Sequence, residues 1–244
     1  MKRILNLKHI LAVIMMAVAP SMVTALGAGH PSAEHIHTYT HNVGQFDAIK
    51  VQDDVNVIYR CTPDTTGVVT YKGTEDFDNA FILTNNNGLL KIQVITEDLG
   101  KPDLPTLYIY SDFLSKIINY SDFDITAESI APCARLDITQ MGNGEINVQG
   151  IKATEVKAKI TAGCGNISLS GSCGEARFQM VGTGVIQADA LKADHVFCRI
   201  LGGGSIGCCP LQTLKTRGIG STSIYYRGEP AIDHKGGGKL IPIK

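Results

Sequence analysis

A β-solenoid of about six coils, preceded by an N-terminal region of antiparallel strands, is the fold that three observations predict. Glycine pairs flanking a single residue recur at spacings of 16 to 21 residues through the second half of the 244-residue chain. Short runs of alternating apolar residues stand on both sides of each pair, the mark of strands with one buried face. No segment carries the i, i+3, i+4 spacing of an amphipathic helix. The composition agrees: 44% hydrophobic with 26 glycines excludes a disordered tail, and this length is enough to bury a sizeable core.

Residues 1–25 read as a secretory signal peptide. Lys2, Arg3 and Lys8 precede the apolar run from Ile10 to Ala19, and Val23 and Ala25 provide small residues before a cleavage point. The run is too short to span a membrane, so an exported protein without a membrane span is expected, in the periplasm, on the outer surface or secreted. The whole chain has a net charge of −1 and becomes more acidic once the signal cations leave, which argues against nucleic acid as a partner. Residues 26–45 form a polar leader, flexible or entering a strand. It holds His30, His35, His37 and His41, whose imidazoles suit a borderline cation but lack any fixed geometry.

Residues 46–110 form the N-terminal β region. Alternation places strands at Phe46–Lys50, Val55–Tyr59, Val68–Tyr71, Leu89–Val94 and Leu107–Tyr110. The Asn85-Asn86-Asn87-Gly88 segment is the strongest hairpin signal, because asparagine and glycine tolerate the positive φ of tight turns. The spacing changes near Pro102 and Pro105, and a soft boundary falls at about residue 110, with one continuous unit as the alternative.

Residues 111–244 carry the repeat. Its corners are Gly142-Asn143-Gly144, Gly163-Cys164-Gly165, Gly182-Thr183-Gly184, Gly202-Gly203-Gly204, Gly218-Ile219-Gly220 and Gly236-Gly237-Gly238, with Ser121-Asp122-Phe123 as a copy lacking both glycines. A strand precedes each corner (Val156, Ala158, Ile160; then Ala176, Phe178, Met180; then Val196, Cys198, Ile200) and another follows it (Ile146, Ile167, Ile186, Ile206, Ile224). Two strands cannot enclose a core alone, whereas stacked copies pair rung to rung about 4.8 Å apart and align their apolar positions as internal ladders. The glycines would supply positive φ at the corner. A phosphate-binding loop is excluded because a strand, not a helix, follows every pair.

The segment Phe46-Asp47-Ala48-Ile49 with Val55-Asn56-Val57, the Asn87–Leu89 hairpin, the Gly-x-Gly-x-Ile units and the ending Ile224-Tyr225-Tyr226-Arg227-Gly228-Glu229-Pro230 resemble the head GIN domain family of putative auto-transporter adhesins, over about residues 40–244. The resemblance implies a right-handed β-helix in exported bacterial proteins and supplies no catalytic residues.

Stacking also makes the seven cysteines testable. Cys133, Ala153, Cys173, Ala193 and Leu211 would share one column, leaving Cys133 and Cys173 two rungs, roughly 9 to 10 Å, apart and beyond disulfide reach. Cys198 and Cys208 fall at ladder positions without a cysteine in the adjacent coil, so most cysteines read as small core fillers. Cys208-Cys209 lacks a Cys-x-x-Cys partner for zinc. No cofactor is implied.

Two surfaces carry candidate chemistry. Outward positions of the first strand stack Lys157, Arg177, Phe197 and Lys215 in one column and Lys159, Gln179, Arg199 and Arg217 in the next, a basic stripe suited to acidic polysaccharide or lipid headgroups, or else simply a solvated face that discourages aggregation. The outward column of the other strand, Asn147, Ser168, Gln187, Gly207 and Tyr225, is polar and uncharged. Asp124 and Glu145 would stand one rung apart with Asp122 nearby, as a glycosidase-like acid pair, a calcium site or a plain surface cluster. The expected function is an exported binding or structural module recognising a repetitive polymer, surface glycan or other envelope component along a ladder face. The alternative is a polysaccharide hydrolase or lyase on the same scaffold. Pro242 near the C-terminus disfavours open-ended stacking, while side-by-side association stays open.

Overall fold

The computed structural model describes residues 35–98 and 104–243, which belong to one compact unit. The signal-peptide reading, His30 and Pro102 lie outside the described residues. The strands in chain order are β1 (His37–Asn42), β2 (Ala48–Val51), β3 (Val57–Cys61), β4 (Val68–Gly73), β5 (Phe81–Asn86), β6 (Leu89–Val94), β7 (Leu107–Ser111), β8 (Lys116–Asn119) and β9 (Ile125–Ala127). They continue as β10 (Cys133–Gln140), β11 (Glu145–Ile160), β12 (Asn166–Gly182), β13 (Val185–Gly202), β14 (Ser205–Ile219), β15 (Ser223–Tyr226), β16 (Ala231–Gly236) and β17 (Lys239–Pro242).

The result is a β-solenoid of about six turns with antiparallel strands at its N-terminal end. Each of the long strands β11 to β14 bends midway, so its first half belongs to one sheet and its second half to the other. The first sheet runs β5, β6, β2, β8, β10 and then the second halves of β11 to β14 before ending on β16. The second sheet runs β1, β4, β7, β3, β9 and then the first halves of β11 to β14 before β15 and β17. The antiparallel pairs are β1 with β4, β4 with β7, and β5 with β6; the last turns on Asn87 and Gly88, both at positive φ. By contrast, β2 and β3 pair in parallel with β8 and β9, so part of the N-terminal region forms coils of the same stack. The leader contributes β1, on which His37 lies 3.7 Å from Glu75 and His41 stacks on Tyr71, uses of imidazole that have nothing to do with a cation.

Inward columns make the core. Leu136, Val156, Ala176, Val196 and Leu214 line one ladder and Ile125, Ile146, Ile167, Ile186, Ile206 and Ile224 face it from the second sheet, all buried. A further inward column alternates large and small residues, Ile138, Ala158, Phe178 and Cys198, so that small side chains make room for Phe178.

The glycine corners stack, for two different reasons. Gly182, Gly202 and Gly220 form one column at positive φ, the conformation expected from sequence. Gly144, Gly165, Gly184 and Gly204 lie outside that region; a Cβ on Gly184 would sit 2.4 Å from the carbonyl oxygen of Gly165, and the others meet the coil below in the same way. That close approach lets the ladder run unbroken through the corner, where Asn166 donates to the Gly144 carbonyl at 3.1 Å and Val185 to the Gly165 carbonyl at 3.2 Å. In the copy lacking both glycines, Gly142 rests on Ser121 and Gly144 on Phe123, and the buried Asn119 holds the turn by donating to the Phe123 carbonyl at 2.8 Å and accepting from Ser121.

Two register expectations are corrected. Gly218 pairs with Ile200 and fills an inward ladder position, so this corner is Gly220-Ser221-Thr222, with Thr222 where the other copies carry the second glycine. Gly236 follows Gly218, and Gly238 stands on Thr222. Burial decides it: keeping Leu214 on the inward ladder under Val196 requires this offset, and glycine spacing yields to it. Likewise Pro210, not Leu211, stands beside Ala193, because an irregularity before Thr213 inserts a residue and turns Leu211 out to 55% exposure.

Candidate functional site

The basic columns form as expected. Lys157, Arg177, Phe197 and Lys215 are successive rungs on the outer face of the first sheet, and so are Lys159, Gln179, Arg199 and Arg217. The structure lengthens both: Asp137 precedes Lys157, Asp233 follows Lys215, and Lys235 follows Arg217. The Gly-x-Gly spelling puts the coil of Lys235 out of register, which hides its place in this column from the sequence.

A third outward column beside these, Arg135, Glu155, Glu175 and His195, changes the electrostatics. Arg177 lies between two carboxylates, 3.2 Å from Glu155 and 2.6 Å from Glu175, and Arg135 bridges Asp137 and Glu155. Arg217 pairs with Asp233 at 2.9 Å and holds that carboxyl below the usual carboxylate range. The stripe is therefore a mixed strip in which Lys157, Lys159, Arg199, Lys215 and Lys235 have no ion pair among the described residues, whereas Arg177 and Arg217 are already countered. These pairs are half-exposed and add little stability. Phe197 is half-buried between Arg177 and Lys215, and Lys157, Arg177, Gln179, Phe197 and Arg199 line a shallow depression of about 160 Å³. A second depression of about 340 Å³ adjoins it along Arg199, Arg217 and Lys235. A flat aromatic ring with the unpaired Lys215 on one side and Lys157 and Arg199 in the same depression can take the apolar face of a ligand and its anionic groups together.

The acidic residues have another role. The carboxylate of Asp122 accepts from the Asn143 backbone and side chain at 2.8 Å, and the Asn143 side chain in turn accepts from the Cys164 backbone at 3.2 Å. One column over, Asp124 accepts from the Glu145 backbone at 2.9 Å, and Glu145 accepts from the Ser168 hydroxyl at 2.7 Å. Asp54 and Asn56 start these chains by capping Asp122 and Asp124. Asp122, Asp124 and Glu145 thus bind each coil to the next. Among the described residues no group of three or more His, Cys, Asp or Glu is placed to hold a metal ion.

All seven cysteines are free. Cys133 and Cys173 stand on either side of Ala153, as expected. Cys198 and Cys208 are a pair that column reasoning missed: they belong to different sheets and meet across the core, where their hydrogen bond and burial push the Cys198 thiol well up. Burial also raises the Cys173 thiol to about 12. Iodoacetamide at pH 8 is expected to label Cys164 first, being exposed, then Cys61 and Cys209, with Cys133, Cys173, Cys198 and Cys208 reacting only on unfolding. Mass spectrometry of the folded protein checks this order.

Fold and surface together define a β-solenoid whose chemistry lies on an open ladder face. The chain belongs to the family described as "Putative auto-transporter adhesin, head GIN domain", whose model matches residues 45–230. Among solved structures it is similar to an adhesin so described from Bacteroides fragilis, with a TM-score of 0.78, 21% identity and coverage of 86% of this chain and 98% of that one. An adhesin so described from Parabacteroides merdae gives a TM-score of 0.64, 20% identity and coverage of 87% and 98%. A protein from Parabacteroides distasonis described as lipid binding gives 0.67, 19%, 87% and 98%. At these identities the likeness is one of fold. No curated protein matches the sequence.

Proposed function

We propose that this chain is an exported, non-enzymatic binding module that holds an anionic repeating glycan of the cell envelope along the first sheet. The observation that carries the reading is the half-buried Phe197, with Lys215 on the next rung and with Lys157 and Arg199 in the same depression, cations without ion-pair partners among the described residues. Unpaired cations recur along the stack one or two rungs apart, about 5 to 10 Å, which suits a charged polymer better than a compact metabolite. The family's description as an auto-transporter adhesin supports this reading. One structural relative is described as lipid binding, and anionic vesicles are therefore the control.

Binding of polygalacturonate, followed by calorimetry, is expected to weaken steeply between low and high salt. Lys159→Ala with Arg199→Ala should cost about tenfold or more in affinity, close to the loss of one charge-assisted contact. Arg217→Ala should cost less, because Asp233 already neutralises Arg217. Salt-independent binding, tighter binding to anionic vesicles, or release of reducing ends from the polymer would each overturn the reading.

A further inference from the structure

We propose that a groove on the second sheet is a separate binding site for a single acidic sugar unit. It lies near the N-terminal end of the stack, where antiparallel β4 joins β7 and β7 pairs with β3. Thr70 stands opposite Tyr108, and Tyr110 is flanked by Val68 on one strand and Arg60 on the other. With Lys72 and Thr106, the outward side chains Arg60, Thr70, Tyr108 and Tyr110 line a cavity of about 470 Å³. That volume lies within the range of about 300–1,000 Å³ typical of small-molecule sites. The cationic ladder belongs to the first sheet, so the two sites share no residue.

The lining specifies the ligand class. A pyranose ring presents an apolar C–H face and a rim of hydroxyls. Two half-buried phenol rings beside threonine hydroxyls match that division, because tyrosine offers a flat apolar body and a polar tip together. Arg60 holds the platform in place: its Nε donates to Glu128 at 2.7 Å and its Nη2 at 3.4 Å, while its guanidinium carbon lies 5.2 Å from the Tyr108 ring centroid. The pairing keeps the Glu128 carboxyl below its ordinary range, so the clamp persists at neutral pH and lets go only in acid. Lys72 is exposed and has no ion pair among the described residues, which leaves its ammonium for a ligand carboxylate. A platform fixed before binding loses less freedom on capture.

The chain has eight tyrosines and no tryptophan, so tyrosine fluorescence reports directly on such a site. Galacturonate and its methyl ester, titrated against the full chain, are the probes. Saturable binding of the acid is expected, weakened about tenfold by Tyr108→Ala and little changed by Tyr108→Phe. Lys72→Ala should abolish the preference for the acid over the ester, and Lys152→Ala, an exposed cation outside both this groove and the ladder depressions, should change neither value. Circular dichroism of Lys72→Ala, a surface change, guards against misfolding as the explanation. The proposal is overturned by the absence of saturable binding, by binding that Arg199→Ala removes and Tyr108→Ala spares, or by stronger binding of a thymidine oligonucleotide on the same tyrosines. Failure here would leave the ladder reading standing, since that reading is tested on Lys159 and Arg199.

Discussion

Gly202→Ala is expected to destabilise the protein by about 2–6 kcal/mol, combining backbone strain of about 1–3 kcal/mol with overpacking of similar size. Gly202 has a φ of 139°, and a Cβ there would lie 2.3 Å from the carbonyl oxygen and 3.1 Å from two further backbone atoms of Gly182 in the coil below. Neither coil can move aside, because Gly203 donates to that same Gly182 carbonyl at 3.1 Å. The adjacent residue is the control. Gly203→Ala meets only the Thr183 methyl at 3.8 Å and has no unusual φ, so its cost should stay below about 1 kcal/mol. Urea unfolding of the two variants measures the difference. Equal costs would mean that the corners do not stack.

Phe178→Ala should be the largest core effect, about 3–5 kcal/mol. Phe178 is fully buried and lies between Ala158 on one coil and Cys198 on the next, so truncation opens a cavity that small neighbours cannot fill. Adding Ala158→Leu to Phe178→Ala should recover about 1–2 kcal/mol, while Ala158→Leu alone should cost stability by overpacking. Such coupling between residues twenty positions apart arises only if they are vertical neighbours. Strict additivity would show that they are not.

The parts of the fold legible in sequence were those with a constant repeat. The columns through Lys157, Arg177, Phe197 and Lys215, and through Lys159, Gln179, Arg199 and Arg217, could be read because the coil length between them changes little and the inward residues are unambiguous. Between Gly202 and Gly220 two signals conflicted, the Gly-x-Gly spelling and the apolar ladder, and burial of Leu214 settled the register. The first coils were illegible for a different reason. Residues stacked there, such as Asp54 on Asp122 and Asn56 on Asp124, lie 68 positions apart because β4 to β7 intervene, and no repeat signal survives that distance. The charge balance of the stripe was hidden as well. Periodicity places Arg177 on a column but says nothing of Glu155 and Glu175 reaching it diagonally from the neighbouring one. The tyrosine groove depends on antiparallel β4 meeting β7 across a long intervening segment, and alternation alone cannot pair them. Cys198 and Cys208 escaped because columns describe vertical neighbours, and this pair meets horizontally.

One measurement bears most directly on the whole account: through-space amide contacts in a uniformly labelled sample, recorded for the residues following each corner. In-register parallel stacking predicts cross-peaks linking Ile146 to Ile167, Ile167 to Ile186, Ile186 to Ile206 and Ile206 to Ile224 in succession. Cross-peaks that instead join these isoleucines to residues on the far side of a local hairpin would dissolve the columns, and the cationic ladder with them.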